Sequence, residues 1–516
     1  MATRPDKLVI THRAALRAKY GTAGARRVTA ALGRLVAADA ARGVRTRVVA
    51  LDDTRALRSA GARPIGATDD WPGALRAVDA LWQRWTPAYV LLLGAPDVVP
   101  QPRIANPFGA FGGDDPDPYV PSDLPYACDL PDDLTLPPAG VLDPAGLLAV
   151  TRVVGRLPDL RGATDPAALL AILEHAIAHA PRPPAELARV FAVSCDAWLG
   201  STTRSVALLG GGRTTVHASP PRASPLARTA LARRTHFVNL HGSDTDPDWW
   251  GQLRDVRGRE QPIDTIAMRP EDVARAVAPG TIAAAECCYG ALHAAPSLFD
   301  GRVPMGVAYL QAGACALVGS STTSYGPVDD LGQADLLCRF ALEAMRAGAS
   351  TGRALLEARQ RFVRETGELH QADLKTLLQF DLLGDPSLVA VRVAAPAPKR
   401  RRGASARAAV PVETGQRDDR RRALAATGRA LAATVARPAL EPSPVTARMR
   451  PAMAAIAEAE GATMTGAIRS FDESAHGPAT GARFHVAPVE RAGRRGFVLV
   501  RERDGRRRTT VTFAKG

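Results

Sequence analysis

The sequence predicts a mixed α/β protein with mostly parallel sheets flanked by helices. Two observations carry the prediction. Short apolar runs bounded by turn residues recur through residues 8–393, among them Leu8-Val9-Ile10, Tyr89-Val90-Leu91-Leu92-Leu93, Phe237-Val238-Asn239-Leu240 and Ile282-Ala283-Ala284-Ala285. Such runs are candidate buried strands of a parallel sheet. Between them lie longer stretches with apolar side chains at helical spacing, and strand–helix alternation points to a parallel sheet covered on both faces.

Taken in order, residues 8–11 read as a first strand, 13–40 as an Ala-rich helix and 46–51 as a second strand. Residues 71–85 form an amphipathic helix, and 89–93 a third strand. Residues 106–145, rich in Pro, Gly and Asp, read as a long irregular excursion, after which 150–154 resume the sheet. Asp165 and Pro166 supply an N-cap and a first-turn proline for a helix to residue 178. After a proline-marked boundary at 181–184 a second series follows. It has strands at 190–193, 237–240, 281–285 and 316–319, and helices around Leu208, at 331–347 and at 351–365, the last capped by Ser350. Residues 388–393 read as the closing strand. Beyond a stretch with linker composition, in which 420–435 has helical potential, 449–459 read as a helix. Residues 483–486, 496–501 and 509–513 follow as a meander turning at Ala492-Gly493 and Asp504-Gly505.

This divides the 516 residues into an N-terminal lobe (1–183), a second lobe (184–393), a basic linker (394–445) and a small basic α+β domain (446–516). The net charge of +14 is concentrated in the tail. Residues 394–516 hold 24 Lys and Arg against 11 Asp and Glu, a surplus of 13. That surplus reads either as composition, because Arg is abundant throughout, or as the mark of an acidic partner for the tail, a nucleic acid or a protein. No apolar run reaches the ~18 residues of a membrane span, and there is no signal-peptide core at the start. Six cysteines, two of them adjacent, do not make a disulfide framework. The expectation is a cytoplasmic, reduced chain.

The chemistry-bearing residues close two of the apolar runs. His241-Gly242-Ser243 follows one, and Glu286-Cys287-Cys288-Tyr289-Gly290 follows the other. Reactive groups of open α/β sheets sit at the carboxyl ends of strands. A thiolate is a strong nucleophile, and an imidazole can lower its pKa or protonate a leaving amine. Alone, a Cys is most often a small buried hydrophobe, and a His a satisfied core residue. Both together at strand ends, each with glycine near, point to function. Metal binding fails on count, because the cysteines are adjacent and no Cys-x-x-Cys pair occurs. Acidic loops such as 114–117 could hold calcium, although a solvated turn is the simpler reading. No cofactor is expected.

These motifs resemble the gingipain family of caspase-like cysteine peptidases. His241-Gly242-Ser243-Asp244-Thr245 is similar to its His-Gly-Ser-Glu-Thr, and Glu286-Cys287-Cys288 to its Asn-Cys-Cys. The runs 312–321 and Leu382-Leu383-Gly384-Asp385-Pro386-Ser387-Leu388 resemble later family motifs, and 87–100, 122–127 and 154–158 resemble earlier ones. The resemblance spans roughly residues 6–393.

It implies two caspase-like lobes, the first lacking the dyad, and an endopeptidase acting on a protein or peptide substrate. The cytoplasmic expectation above would make that enzyme intracellular, a departure from the secreted habit of the family. Cys288 would be the nucleophile and His241 the acid–base partner, with Gly242 and Cys288 N–H groups as the oxyanion hole. Where the family often places an acid to orient the histidine, this chain has Thr151, so that role falls to a backbone carbonyl or to none. Lys-selective members carry an acid after Ser-Tyr-Trp-Gly. Here Ser324-Tyr325-Gly326-Pro327 precedes Asp329 and Asp330, which with Tyr325 are candidate substrate-binding residues for a basic P1 side chain. The alternatives are a catalytically silent scaffold on the same fold, or a peptidase whose basic tail binds nucleic acid.

Overall fold

The computed structural model describes residues 4–108, 115–130, 140–144, 149–210, 214–254, 259, 261–366, 369–393, 440–443, 445–473, 483–491, 494–503 and 506–515. The architecture is mixed α/β, with one ten-stranded, mostly parallel sheet flanked by helices. Its strands are β1 (Lys7–Thr11), β2 (Thr46–Ala50), β3 (Tyr89–Leu93), β4 (Val154–Leu157), β5 (Val190–Cys195), β6 (Val216–Ser219) and β7 (Thr235–Asn239). After a two-stranded excursion, β8 (Trp249–Gly251) with β9 (Thr265–Met268), come β10 (Ile282–Ala285) and β11 (Ala316–Ser320). A short strand outside the sheet, β12 (Ser324–Gly326), precedes the last strand of the large sheet, β13 (Phe380–Gly384). The order across the sheet is β6-β5-β7-β10-β11-β13-β4-β3-β1-β2. Every pairing is parallel except β11 with β13.

The strands are the apolar runs. Val9, Leu91, Phe237, Ala284 and Leu317 are all fully buried, as strands covered on both faces require. The covering helices follow their sequence signals. In α1 (Trp71–Trp85), Asp70 accepts the Gly73 N–H at 2.8 Å, Pro72 sits in the first turn, and Trp71, Leu75, Val78, Leu81 and Trp82 form the buried face. The chain leaves at Thr86 in the left-handed region, φ +36°. In α2 (Thr351–Thr366) the Arg353 N–H reaches the Ser350 hydroxyl at 3.4 Å, the expected cap.

Three elements differ from expectation. The sheet resumes at β4 (Val154–Leu157), not at 150–154, because a fully buried arginine interrupts the apolar pattern. Arg156 donates to both Asp123 oxygens at 2.8 and 2.6 Å and to the Gly94 and Val99 carbonyls. Residues 388–393 make only isolated bridges, Val389 to Ser350 and Val391 to Arg182. The closing strand of the sheet is instead β13, which contains two of the motif leucines. The helix expected at 331–347 begins at Gln333, after a turn through Asp330.

Most of the stretch read as linker, 394–439, lies outside the described residues, as do the helix expected at 420–435 and the two meander turns. Leu440–Ser443, expected within the linker, is a strand. The expected C-terminal helix is present as Met449–Ala459, and the meander strands are longer than expected, at Arg483–Arg491, Arg494–Arg503 and Arg506–Lys515. They belong to an antiparallel sheet that ends, unexpectedly, on β12 of the large unit. Ser324, Tyr325 and Gly326 pair with Lys515, Ala514 and Phe513. Phe108, Tyr325, Ala372, Val486, Phe497 and Leu499 close an apolar cluster across the contact. Phe108 stacks on Tyr325 at 4.9 Å and meets Phe497 edge-on at 5.0 Å.

Candidate active site

The site begins with a register. β7 and β10 are neighbours and parallel, pairing Val238 with Ala285. His241 lies three residues past the one, Cys288 three past the other, so the sheet delivers both to the same height at its carboxyl edge. The strand order reverses between β5 and β7, the kind of switch point at whose carboxyl edge open α/β sheets place their sites. Gly242 fits against the neighbouring loop only because it lacks a side chain. A Cβ there would lie 1.9 Å from the Cys288 carbonyl oxygen. His241 and Cys288 are 2 % and 1 % exposed.

The imidazole is held on several sides. Its backbone exchanges two hydrogen bonds with Trp250 of β8, each 2.9 Å. The ring packs on Trp198, just beyond β5, with centroids 4.4 Å apart. Nε2 lies 3.0 Å from Gln252 Oε1. Thr151, the residue standing where an orienting acid was sought, is occupied elsewhere, donating its hydroxyl to Asp129 at 2.9 Å.

The two cysteines face different surroundings. Cys288 Sγ accepts the Ser324 N–H at 3.1 Å and lies 3.7 Å from the Ser324 carbonyl oxygen. A thiolate at Cys288 would be felt by the phenols of Tyr289 and Tyr325. Cys287 lies instead on the side of Tyr309, which packs beside Trp249 and His236. The turn after Cys288 is held open by Tyr289 at φ +56°, an uncommon conformation for an aromatic residue. Two bonds fix it: the Tyr289 N–H donates to the Thr322 carbonyl at 3.0 Å, and its phenol donates to Asp117 at 2.9 Å.

Asp117 belongs to a buried polar cluster beneath this turn. Lys375 Nζ lies 2.6 Å from Asp115 and 2.7 Å from Asp117. Tyr325 donates to Asp115 at 2.6 Å, and the Thr323 N–H to Asp117 at 2.9 Å. Burial pushes the Asp117 carboxyl upward, but Lys375, together with the Thr323 N–H and the Tyr289 phenol, holds it below the usual range. Burial, then Asp115, pushes the Tyr325 phenol up. The acidic loop considered as a calcium site or a solvated turn is therefore, at Asp115 and Asp117, a lysine-neutralised support. Among the described residues no cluster of His, Cys, Asp or Glu could hold a metal ion. No helix there is long and apolar enough to cross a membrane.

The structure thus brings His241, Gly242 and Cys288 together, with Tyr325 one residue past the strand position that touches the sulfur. Asp329 and Asp330 lie on the surface, their side chains 70 % and 81 % exposed, in 3.3 Å ion pairs with Arg254 and Arg204. Gln252, Trp198 and Lys375 carry no motif, and sequence reasoning missed them, while Ser324 was read within a motif but without its contact to sulfur. Only the backbone path places them here.

No family model matches the chain, and no curated protein matches it. A solved chain described as "Structure of Protease" aligns over 99 % of this chain and 98 % of its own length, at 12 % identity and a TM-score of 0.45. A likeness so remote carries no argument about this site.

Proposed function

We propose that the protein is a cysteine endopeptidase of the gingipain-like, caspase-fold type, with Cys288 as nucleophile and His241 as acid–base partner. The observation that carries this reading is the in-register exit of His241 and Cys288 from neighbouring parallel strands, with Gly242 packed on the Cys288 carbonyl. The Ser324 N–H at 3.1 Å from Sγ supports it, because a donor aimed at sulfur favours the thiolate.

In the proposed reaction the Cys288 thiolate attacks the scissile carbonyl carbon, and the electron pair moves to oxygen. The N–H groups of Gly242 and Cys288 would receive that oxyanion. As the C–N bond breaks, the His241 imidazolium gives its proton to the leaving amine. Water then attacks the thioester carbon, His241 takes a proton from it, and the thiol is regenerated as the carboxylic acid leaves.

A basic P1 preference is the finer part of the proposal. Asp329 and Asp330 supply the charge, and a basic side chain would displace Arg254 or Arg204 from them. Burial of both reacting groups favours a regulated enzyme that opens on a signal. Self-processing within the run Lys399-Arg400-Arg401-Arg402, which lies outside the described residues, would be one such step. A peptide-library cleavage profile of the full chain tests the reading. Cleavage lost in Cys288→Ala is expected. Equal profiles for the two proteins, or no cleavage with every library, would favour the silent scaffold.

A further inference from the structure

We infer that Gln252 is the positioning residue of His241, and that it fixes the imidazole as the Nε2–H tautomer without adding a negative charge. The inference rests on the proposed role of His241 and concerns how that role is set up.

The argument starts from the amide. Gln252 Nε2 lies 2.7 Å from the Gln261 carbonyl oxygen. A carbonyl can only accept, so the Gln252 NH₂ must face it, and Oε1 must face the other way. That oxygen is the atom 3.0 Å from His241 Nε2. An amide oxygen also only accepts, so the proton of a neutral ring sits on Nε2. The lone pair is then on Nδ1, the nitrogen that would take a proton from a thiol and return it to an amine.

The amide is not free to turn over. Gln252 is 1 % exposed. Its N–H donates to the Ser219 carbonyl and its carbonyl accepts the Ala197 N–H, each at 3.0 Å. Those bonds tie it to the ends of β6 and β5. Trp198, one residue past Ala197, then closes on the ring at 4.4 Å. Two segments tied to each other therefore hold the imidazole, one by a hydrogen bond to Nε2 and the other by a tilted aromatic contact.

The choice of an amide over a carboxylate has a chemical consequence. A carboxylate would stabilise the imidazolium and raise its pKa. A neutral acceptor orients the ring equally well and leaves the proton easier to give up, which suits a group that must protonate a leaving amine.

The test is histidine-ring ¹⁵N NMR on the full chain, with the His241 signals assigned from their loss in His241→Gln. The wild type is expected to show the Nε2–H tautomer. Gln252→Glu, nearly the same size, is expected to raise the His241 pKa by at least one unit. Gln252→Leu is expected to give a mixture of tautomers and to lower peptide hydrolysis tenfold or more. If Gln252→Leu fails to fold, as judged by circular dichroism, Gln252→Glu still decides. An Nδ1–H tautomer in the wild type, or a His241 titration unmoved by Gln252→Glu, overturns the inference. Failure of the peptidase reading is separate. It would appear as hydrolysis unaffected by Cys288→Ala, whatever the NMR shows.

Discussion

A side chain of any size on Gly242 would collide with the Cys288 carbonyl oxygen, which lies 1.9 Å from where its Cβ would be. The glycine after the histidine thus measures the gap between two loops. Gly242→Ala should push those loops apart and lower peptide hydrolysis by about 10²-fold, the scale of a ~1 Å misplacement at a reacting centre. Steady-state kinetics checks this. Unchanged kcat/KM would mean that the two loops move freely.

The adjacent cysteines should separate cleanly. Cys288→Ala is expected to abolish hydrolysis and labelling by an electrophilic peptide, whereas Cys287→Ala keeps most of both. Intact-mass analysis of labelled protein reads the outcome. A dead Cys287→Ala alongside a labelled Cys288→Ala would reverse the assignment.

Lys375 neutralises two buried carboxylates that would otherwise repel each other and lack a cation. Lys375→Met should destabilise the protein by about 3–5 kcal/mol, as expected when a buried ion pair is broken from one side. Adding Asp115→Asn should recover part of that loss. Urea unfolding of the three proteins measures both effects.

Acid sensitivity should come partly from His236. The ring is buried and bonded as a neutral imidazole, Nε2–H donating to the Arg233 carbonyl at 2.8 Å and Nδ1 accepting the Tyr309 hydroxyl at 3.0 Å. Burial pulls its pKa down to about 4. The unfolded chain therefore binds a proton that the folded chain refuses, between pH ~6.5 and ~4. The stability this neutral ring contributes is complete above pH ~6.5 and is lost as pH falls toward ~4, by up to ~3 kcal/mol. In His236→Gln the fall across that window should be shallower, as read by unfolding at a series of pH values. A parallel fall in both proteins would assign the sensitivity to other groups.

The contact between β12 and the C-terminal sheet should be visible in amide exchange. Ser324 turns both its N–H and its carbonyl toward Cys288. Alternation along a strand then hands the Tyr325 groups to the opposite edge, where Ala514 is the paired residue. Ala514→Pro removes a donor from that pair. Hydrogen exchange at Tyr325 should quicken in the variant, and an unchanged rate would show that the pair is not formed.

Much of this was legible because two signals were strong. Apolar runs of five or so residues, bounded by turn residues and too short for helices, read as covered strands, so β1, β3, β7, β10 and β11 were readable, and with them the placement of His241 and Cys288. The remainder was hidden where burial is achieved by pairing charges. Arg156 made β4 look unlike a strand, and its complement Asp123 is far away in sequence. Lys375 finds Asp115 and Asp117 across some 260 residues. Gln252 reaches His241 through a hairpin whose pairing no local pattern announces.

The position of β13 bears on how the chain could be divided. It is made by residues 380–384, yet it lies between β4 of the first 183 residues and β11 of the following ones. Close by, Lys7 is buried in a 2.6 Å ion pair with Asp385. A gene cut near residue 183 would therefore give a second fragment with a bare strand edge and an orphaned aspartate, and such edges recruit other copies. The two pieces, insoluble when made singly, should become soluble when made in the same cell, each supplying the other's missing neighbour. That would make the junction a natural place to build a split, reassembling version of the protein.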